Sequence, residues 1–237
     1  MVFARGTSGG SAVRLLVANT RGRVVRELKP AGANSDPAWA PDGQRIAYVS
    51  QDRGSHIVVA KAGTGRVLAE MPTRAGLLSR PAWSPDGRRI AYAEQVDIDA
   101  GRQAGSNRIV VVNADGSGRR VLLGQASDPA WSPDGSKIAY VGYASRFAES
   151  GDIAVANVDG SAAHSLTVTG EAESRPAWSP SGRLIAFARG SSSASAVLVV
   201  PSGGGAERVI VRSRSYGALD PAWRPRTVLP KARRPAC

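Results

Sequence analysis

The sequence has 237 residues, 42% of them apolar and 21% charged, with 31 Lys plus Arg against 19 Asp plus Glu for a formal charge of +12. This is the composition of a folded chain of one domain or two small ones, and no run approaches the roughly 20 apolar residues that a membrane helix requires. One cysteine, Cys237, excludes an intrachain disulfide and a cysteine metal cluster, and two histidines, His56 and His164, leave little material for zinc or triad chemistry.

Read from the N-terminus, residues 1–6, 15–18 and 24–28 are predicted strands. A pattern then begins that occurs four times in full: DPAWAPDGQRIAYVS from Asp36, RPAWSPDGRRIAYAE from Arg80, DPAWSPDGSKIAYVG from Asp128 and RPAWSPSGRLIAFAR from Arg175. A fifth copy, DPAWRPR from Asp220, breaks off. Each unit predicts a first strand at Pro-Ala-Trp, and then a tight turn. In that turn Pro presets φ, Asp bonds the backbone and Gly takes the left-handed position. Second strands follow at 46–49, 90–93, 138–141 and 185–188, and third strands at 57–60, 109–112, 153–156 and 197–200. Turns at 114–116 and 158–160 precede fourth strands such as 120–123. No helix is predicted.

The five tryptophans, Trp39, Trp83, Trp131, Trp178 and Trp223, are spaced by 44, 48, 47 and 45 residues. A period in the forties with four short strands per unit is the pattern of an all-β propeller of four-stranded antiparallel blades. One tryptophan per unit in one register predicts packing between blades, not a stacking surface for sugars or bases. The Pro-Ala-Trp-Ser-Pro-Asp-Gly core followed by Ile-Ala-Tyr or Ile-Ala-Phe resembles the TolB-type propeller repeat, a relative of the WD repeat. The resemblance implies a bacterial periplasmic or cell-envelope protein that binds other proteins. No signal peptide is visible in this chain. Proteins of that type usually have six blades and a separate N-terminal domain, and the pattern here departs from both.

Residues 1–6 align with residues 185–190, so the chain starts in phase at a second strand and stops after a first strand. Three strands at one end and one at the other make a composite blade. The expectation is therefore five blades closed 3+1, monomeric, over residues 1–225, with a basic tail at 226–237. Six blades would follow if sequence upstream were missing. The last 14 residues, 224–237, carry Arg224, Arg226, Lys231, Arg233 and Arg234 and no acid. It reads as a solvated terminus, and nucleic-acid binding is not expected, because the aromatics do not alternate with bases.

The residue before each Pro-Ala-Trp should stand at the mouth of the central channel. Round the ring these are Asp36, Arg80, Asp128, Arg175 and Asp220, alternating in sign until Asp220 meets Asp36. Two readings are open: a ladder of ion pairs between blades, or a charged mouth that grips a Lys or Arg of a protein or peptide partner, or a cation. The longest variable loops share that face, with Asp97 and Asp99 in one and Arg146 and Phe147 in the other, and loops on a rigid scaffold are usual binding positions.

Enzyme signatures are weak. Gly6-Thr7-Ser8-Gly9-Gly10 fits Gly-x-Ser-x-Gly, but a nucleophile elbow needs a strand, a sharp turn and a helix. A five-bladed glycosidase needs two carboxyls roughly 5–10 Å apart, for which only Asp36, Asp128 and Asp220 are placed. Asn113-Ala114-Asp115-Gly116 and Asp97-Ile98-Asp99 do not complete a calcium loop. The expectation is a binding scaffold without catalytic residues, metal or cofactor. The alternatives are a small carbohydrate-active enzyme and a ligand-binding module of a larger surface protein.

Overall fold

The structure is a computed structural model that describes residues 2–7, 10–18, 21, 23–28, 33–52, 54–72, 76–96, 106–145, 148, 150–190, 195–213 and 220–223, with backbone alone for 2–7, 10–14, 72 and 106. Every regular element among them is a strand. The first sheet holds β1 (Val2–Thr7), β2 (Gly10–Ala18) and β3 (Val24–Leu28) in that order. The second holds β4 (Asn34–Trp39), β5 (Arg45–Ser50), β6 (His56–Lys61) and β7 (Val67–Pro72). The third holds β8 (Leu77–Trp83), β9 (Arg89–Val96), β10 (Ser106–Asn113) and β11 (Arg120–Gly124). The fourth holds β12 (Ala126–Trp131), β13 (Lys137–Gly142), β14 (Asp152–Asn157) and β15 (His164–Ser165). The fifth holds β16 (Ala172–Trp178), β17 (Leu184–Gly190), β18 (Ser195–Pro201) and β19 (Arg208–Ser213). Each sheet is an antiparallel meander, so every connection within a blade is a hairpin.

The core lies between blades. Ile46, Ile90, Ile138 and Ile185, one per second strand, are fully buried. Adjacent sheets meet over apolar clusters such as Leu15, Val17, Leu28, Ile46 and Tyr48 between the first and second blades. Tyr92 fills the same place between the second and third, Tyr140 between the third and fourth, and Phe187 between the fourth and fifth. The tryptophans clamp consecutive blades. Each indole N–H of Trp83, Trp131, Trp178 and Trp223 donates to the alanine carbonyl that precedes the tryptophan one blade back, at 2.9–3.3 Å. Arg45 lies over the Trp83 ring at 4.8 Å and Arg89 over Trp131 at 4.7 Å, contacts of about 0.5–2 kcal/mol each.

Two features differ from an ideal fourfold repeat. The outer strand β15 has only two residues, because side chains replace its ladder. The Ile153 amide donates to Thr167 Oγ1 and Glu173 Oε2, each at 2.9 Å. At the seam, residues 220–223 take the inner-strand place beside the fifth blade, with Trp223 bonded to Ala177. Their expected ladder with β1 falls largely on residues 1 and 218–219, which lie outside the described residues. The indole of Trp39 would be the fifth clamp, onto Ala222. Its Nε1 is instead buried without a hydrogen-bond partner among the described residues.

Candidate partner-binding site at the channel mouth

Each inner strand carries the same irregularity. The register with the second strand slips between Ser35 and Ala38, Ser79 and Ala82, Ser127 and Ala130, and Ser174 and Ala177. At each slip one residue turns into the left-handed region: Asp36 at φ 47°, Arg80 at 56°, Asp128 at 51° and Arg175 at 57°. That conformation costs an L residue about 1–2 kcal/mol, and a following proline works against α-type backbone as well. The bulge thus aims one charged side chain per blade at the channel.

The five Asp-Pro or Arg-Pro pairs, 36–37, 80–81, 128–129, 175–176 and 220–221, line one cavity of about 440 Å³. All five sequence-predicted mouth residues therefore converge. Asn34 pairs with Ser50 and Ser35 with Val49, so the mouth lies toward the blade end from which the loops after the second strands leave. Asp97, Asp99, Arg146 and Phe147 lie outside the described residues, as do Ser8 and the basic tail. Beside the second of those loops, Tyr143 and Ser127 share a hydroxyl–hydroxyl bond of 2.9 Å that ties its base to the inner strand.

The charges form a one-way relay. Asp36 Oδ2 accepts the Arg80 backbone N–H at 3.2 Å, and Asp128 Oδ2 accepts that of Arg175 at 2.9 Å. The Arg80 guanidinium reaches forward to Asp128 at 3.3 Å, and that of Arg175 to Asp220 at 3.3 Å. The left-handed turn exposes the arginine amides that the aspartates cap, an element that the sequence pattern did not reveal. Such partly exposed pairs are worth up to about 1 kcal/mol each. The ion-pair ladder between blades is thus present at these positions. After two pairs are made, one carboxylate is left over. Asp36 makes no ion pair among the described residues, and the Asp220 side chain is 73% exposed.

The repeat turns behave as read. Asp134 accepts the hydroxyls of Ser132 and Ser136 at 2.6 and 2.8 Å and the Ser136 amide at 3.0 Å. These bonds hold its carboxyl down at about 2. The equivalent Asp86 is also lowered, first by the Ser84 hydroxyl and then by the Arg88 amide. Both are turn builders far from the mouth. Asp115 and Asp159 cap Ser117 and Ser161 in the same way. Among the described residues no group of three or more His, Cys, Asp or Glu could hold a metal ion.

Sequence reasoning passed over two buried carboxylates. Glu94 is buried, with Arg108 and Arg119 at 2.7 and 2.6 Å. Glu173 binds the Ile153 amide, Thr167, Thr169 and Arg189. An acid at the end of an Ile-Ala-Tyr-Ala run, or an arginine after Ile-Ala-Phe-Ala, was the available signal.

Sheets of this size and order, stacked round a channel, define a five-bladed β-propeller. The sequence profile of the TolB β-propeller domain matches residues 2–228. The chain belongs to that family. TolB from Acinetobacter baumannii superposes with a TM-score of 0.66 at 20% identity, over 88% of this chain and 51% of that one. A putative TolB from Agrobacterium tumefaciens gives 0.64 at 22%, over 89% and 80%. An oligogalacturonate lyase in complex with manganese gives 0.63 at 15%, over 85% and 59%. These likenesses show the fold, and the chain spans about half the length of the A. baumannii protein. No curated protein matches the sequence significantly.

Proposed function

We propose that the protein is a non-catalytic scaffold that docks a protein or peptide segment on the loop-bearing face, with a basic side chain of the partner entering the channel mouth beside Asp36 and Asp220. The observation that carries this reading is the surplus carboxylate of the relay: three acids face two arginines, and the exposed one stands at the seam. On a chain of +12 this is a locally acidic recess, which discriminates partners by charge sign. The left-handed backbone at four of the five positions is a standing cost that fixes where the charges point. Asp128 is held by an amide and a guanidinium together, which suits a fixed charge better than a carboxyl that must pass a proton. The family likeness extends the reading to a bacterial cell-envelope setting.

The test is binding of Lys- and Arg-bearing peptides to wild type and to the Asp36→Asn/Asp220→Asn double variant. The expected result is at least a tenfold loss of affinity in the variant and weakening with salt. Equal affinity in a variant of unchanged thermal midpoint overturns the reading.

A further inference from the structure

We propose a second interaction surface on the outer rim, where β19 adds a strand from an acidic partner protein. β19 ends the fifth sheet and pairs with β18 alone. An outer strand of this kind offers one row of backbone N–H and C=O groups to a further strand. Residues 208–212 are all exposed. Val209, Ile210 and Val211 are 38–53% exposed, and nowhere else among the described residues do three exposed large aliphatics run in sequence.

The third blade shows the same strand when it is covered. Arg120 of β11 lies opposite Val111, and Arg208 of β19 lies opposite Val199, so the two arginines correspond. Arg120 donates to the Val158 carbonyl of the next blade. Leu122 and Leu123 pack on the apolar cluster between the third and fourth blades. On β19 the matching Ile210 and Val211 are 53% and 50% exposed. Arg208 and Arg212 make no ion pair among the described residues.

Charge selects the occupant. Two copies of β19 paired antiparallel about Ile210 would set Arg208 against Arg212 at both ends, and like charges directly opposite destabilise a strand pair. Residues 224–237, basic and without an acid, are repelled as well. An extended segment with β-branched residues between Asp or Glu fits instead. Its backbone continues the sheet, its acids meet the two arginines and its aliphatics cover Val209 to Val211. The bulge at Ile210 keeps the added ladder short, so side-chain charge carries the selectivity.

The experiment titrates the capped peptide Gly-Glu-Val-Thr-Val-Glu-Gly into the full chain by calorimetry. One counterpart has Gln for both Glu, and another has Pro for the central Thr, which keeps the charge and removes a ladder donor. Saturable binding of the acidic peptide is expected, at least tenfold tighter than either counterpart and weakened by salt. Arg208→Glu/Arg212→Glu should abolish it in a chain that circular dichroism shows to be folded. No saturation, equal affinity for the Gln or the Pro peptide, or full binding in the charge-reversed chain overturns the proposal. So does a wild-type dimer in sedimentation that Ile210→Lys disperses, since the occupant is then a second copy.

Discussion

Replacing Trp39 by Phe should cost the protein much less than replacing Trp178 by Phe. Both rings are half-buried on inner strands, and both substitutions remove the same volume. They differ in one atom. The Trp178 indole N–H donates to the Ala130 carbonyl at 3.0 Å, a bond of about 1 kcal/mol net, and its loss leaves that carbonyl without the donor. The Trp39 Nε1 is buried and makes no bond among the described residues, a liability of about 1–3 kcal/mol that phenylalanine removes. The cavity terms cancel in the comparison, so Trp39→Phe should be the milder change by about 2–4 kcal/mol. Urea titration followed by far-ultraviolet circular dichroism gives both values, with equal slopes as the condition for comparing them. Two variants within about 0.5 kcal/mol of each other would refute the reasoning. They would mean that Ala222 accepts the Trp39 proton in solution and that the seam is clamped like every other interface.

Gly76 has φ 102°, and a Cβ there would lie 1.6 Å from the Gln95 carbonyl oxygen. Gly76→Ala should therefore cost at least about 3 kcal/mol by the same titration, through backbone that must move. Glu173→Ala should cost about 3–5 kcal/mol, because it strands the Ile153 amide and the Thr167 hydroxyl and leaves Arg189, 15% exposed, with fewer partners. Glu173→Gln should cost less, since an amide oxygen still accepts the Ile153 N–H. Tyr48 is pushed up to about 12, first by burial and then by the Glu70 carboxylate. The unfolded phenol, with its pKa near 10, loses its proton first. Stability present below pH ~10 should therefore fall as pH rises toward ~12. Tyr48→Phe should flatten that alkaline limb in thermal midpoints measured across the window.

The blade architecture was legible because the repeat writes it four times. Trp39 to Trp223 fix the period, and the second-strand runs such as Ile138-Ala139-Tyr140-Val141 bury as read. The mouth residues were legible from the same register, since each precedes Pro-Ala-Trp. Their backbone was not. A left-handed arginine before proline runs against local preference, and only the bulge between Ser79 and Ala82 explains why Arg80 adopts it. Nor does spacing reveal that Asp36 caps the Arg80 amide, because that bond joins residues 44 apart across two sheets. The outer strand of the fourth blade shrank to His164–Ser165 through side chains that compete with its ladder, Thr167 and Glu173.

A cycle with an odd number of members cannot be coloured alternately with two colours. The relay at the mouth assigns opposite signs to successive positions, and it has five of them, so one adjacent couple must match. An even cycle built on the same rule would cancel completely and offer an incoming group nothing to discriminate. Parity alone therefore breaks the rotational equivalence of these near-identical units and gives the rim a single distinguished point.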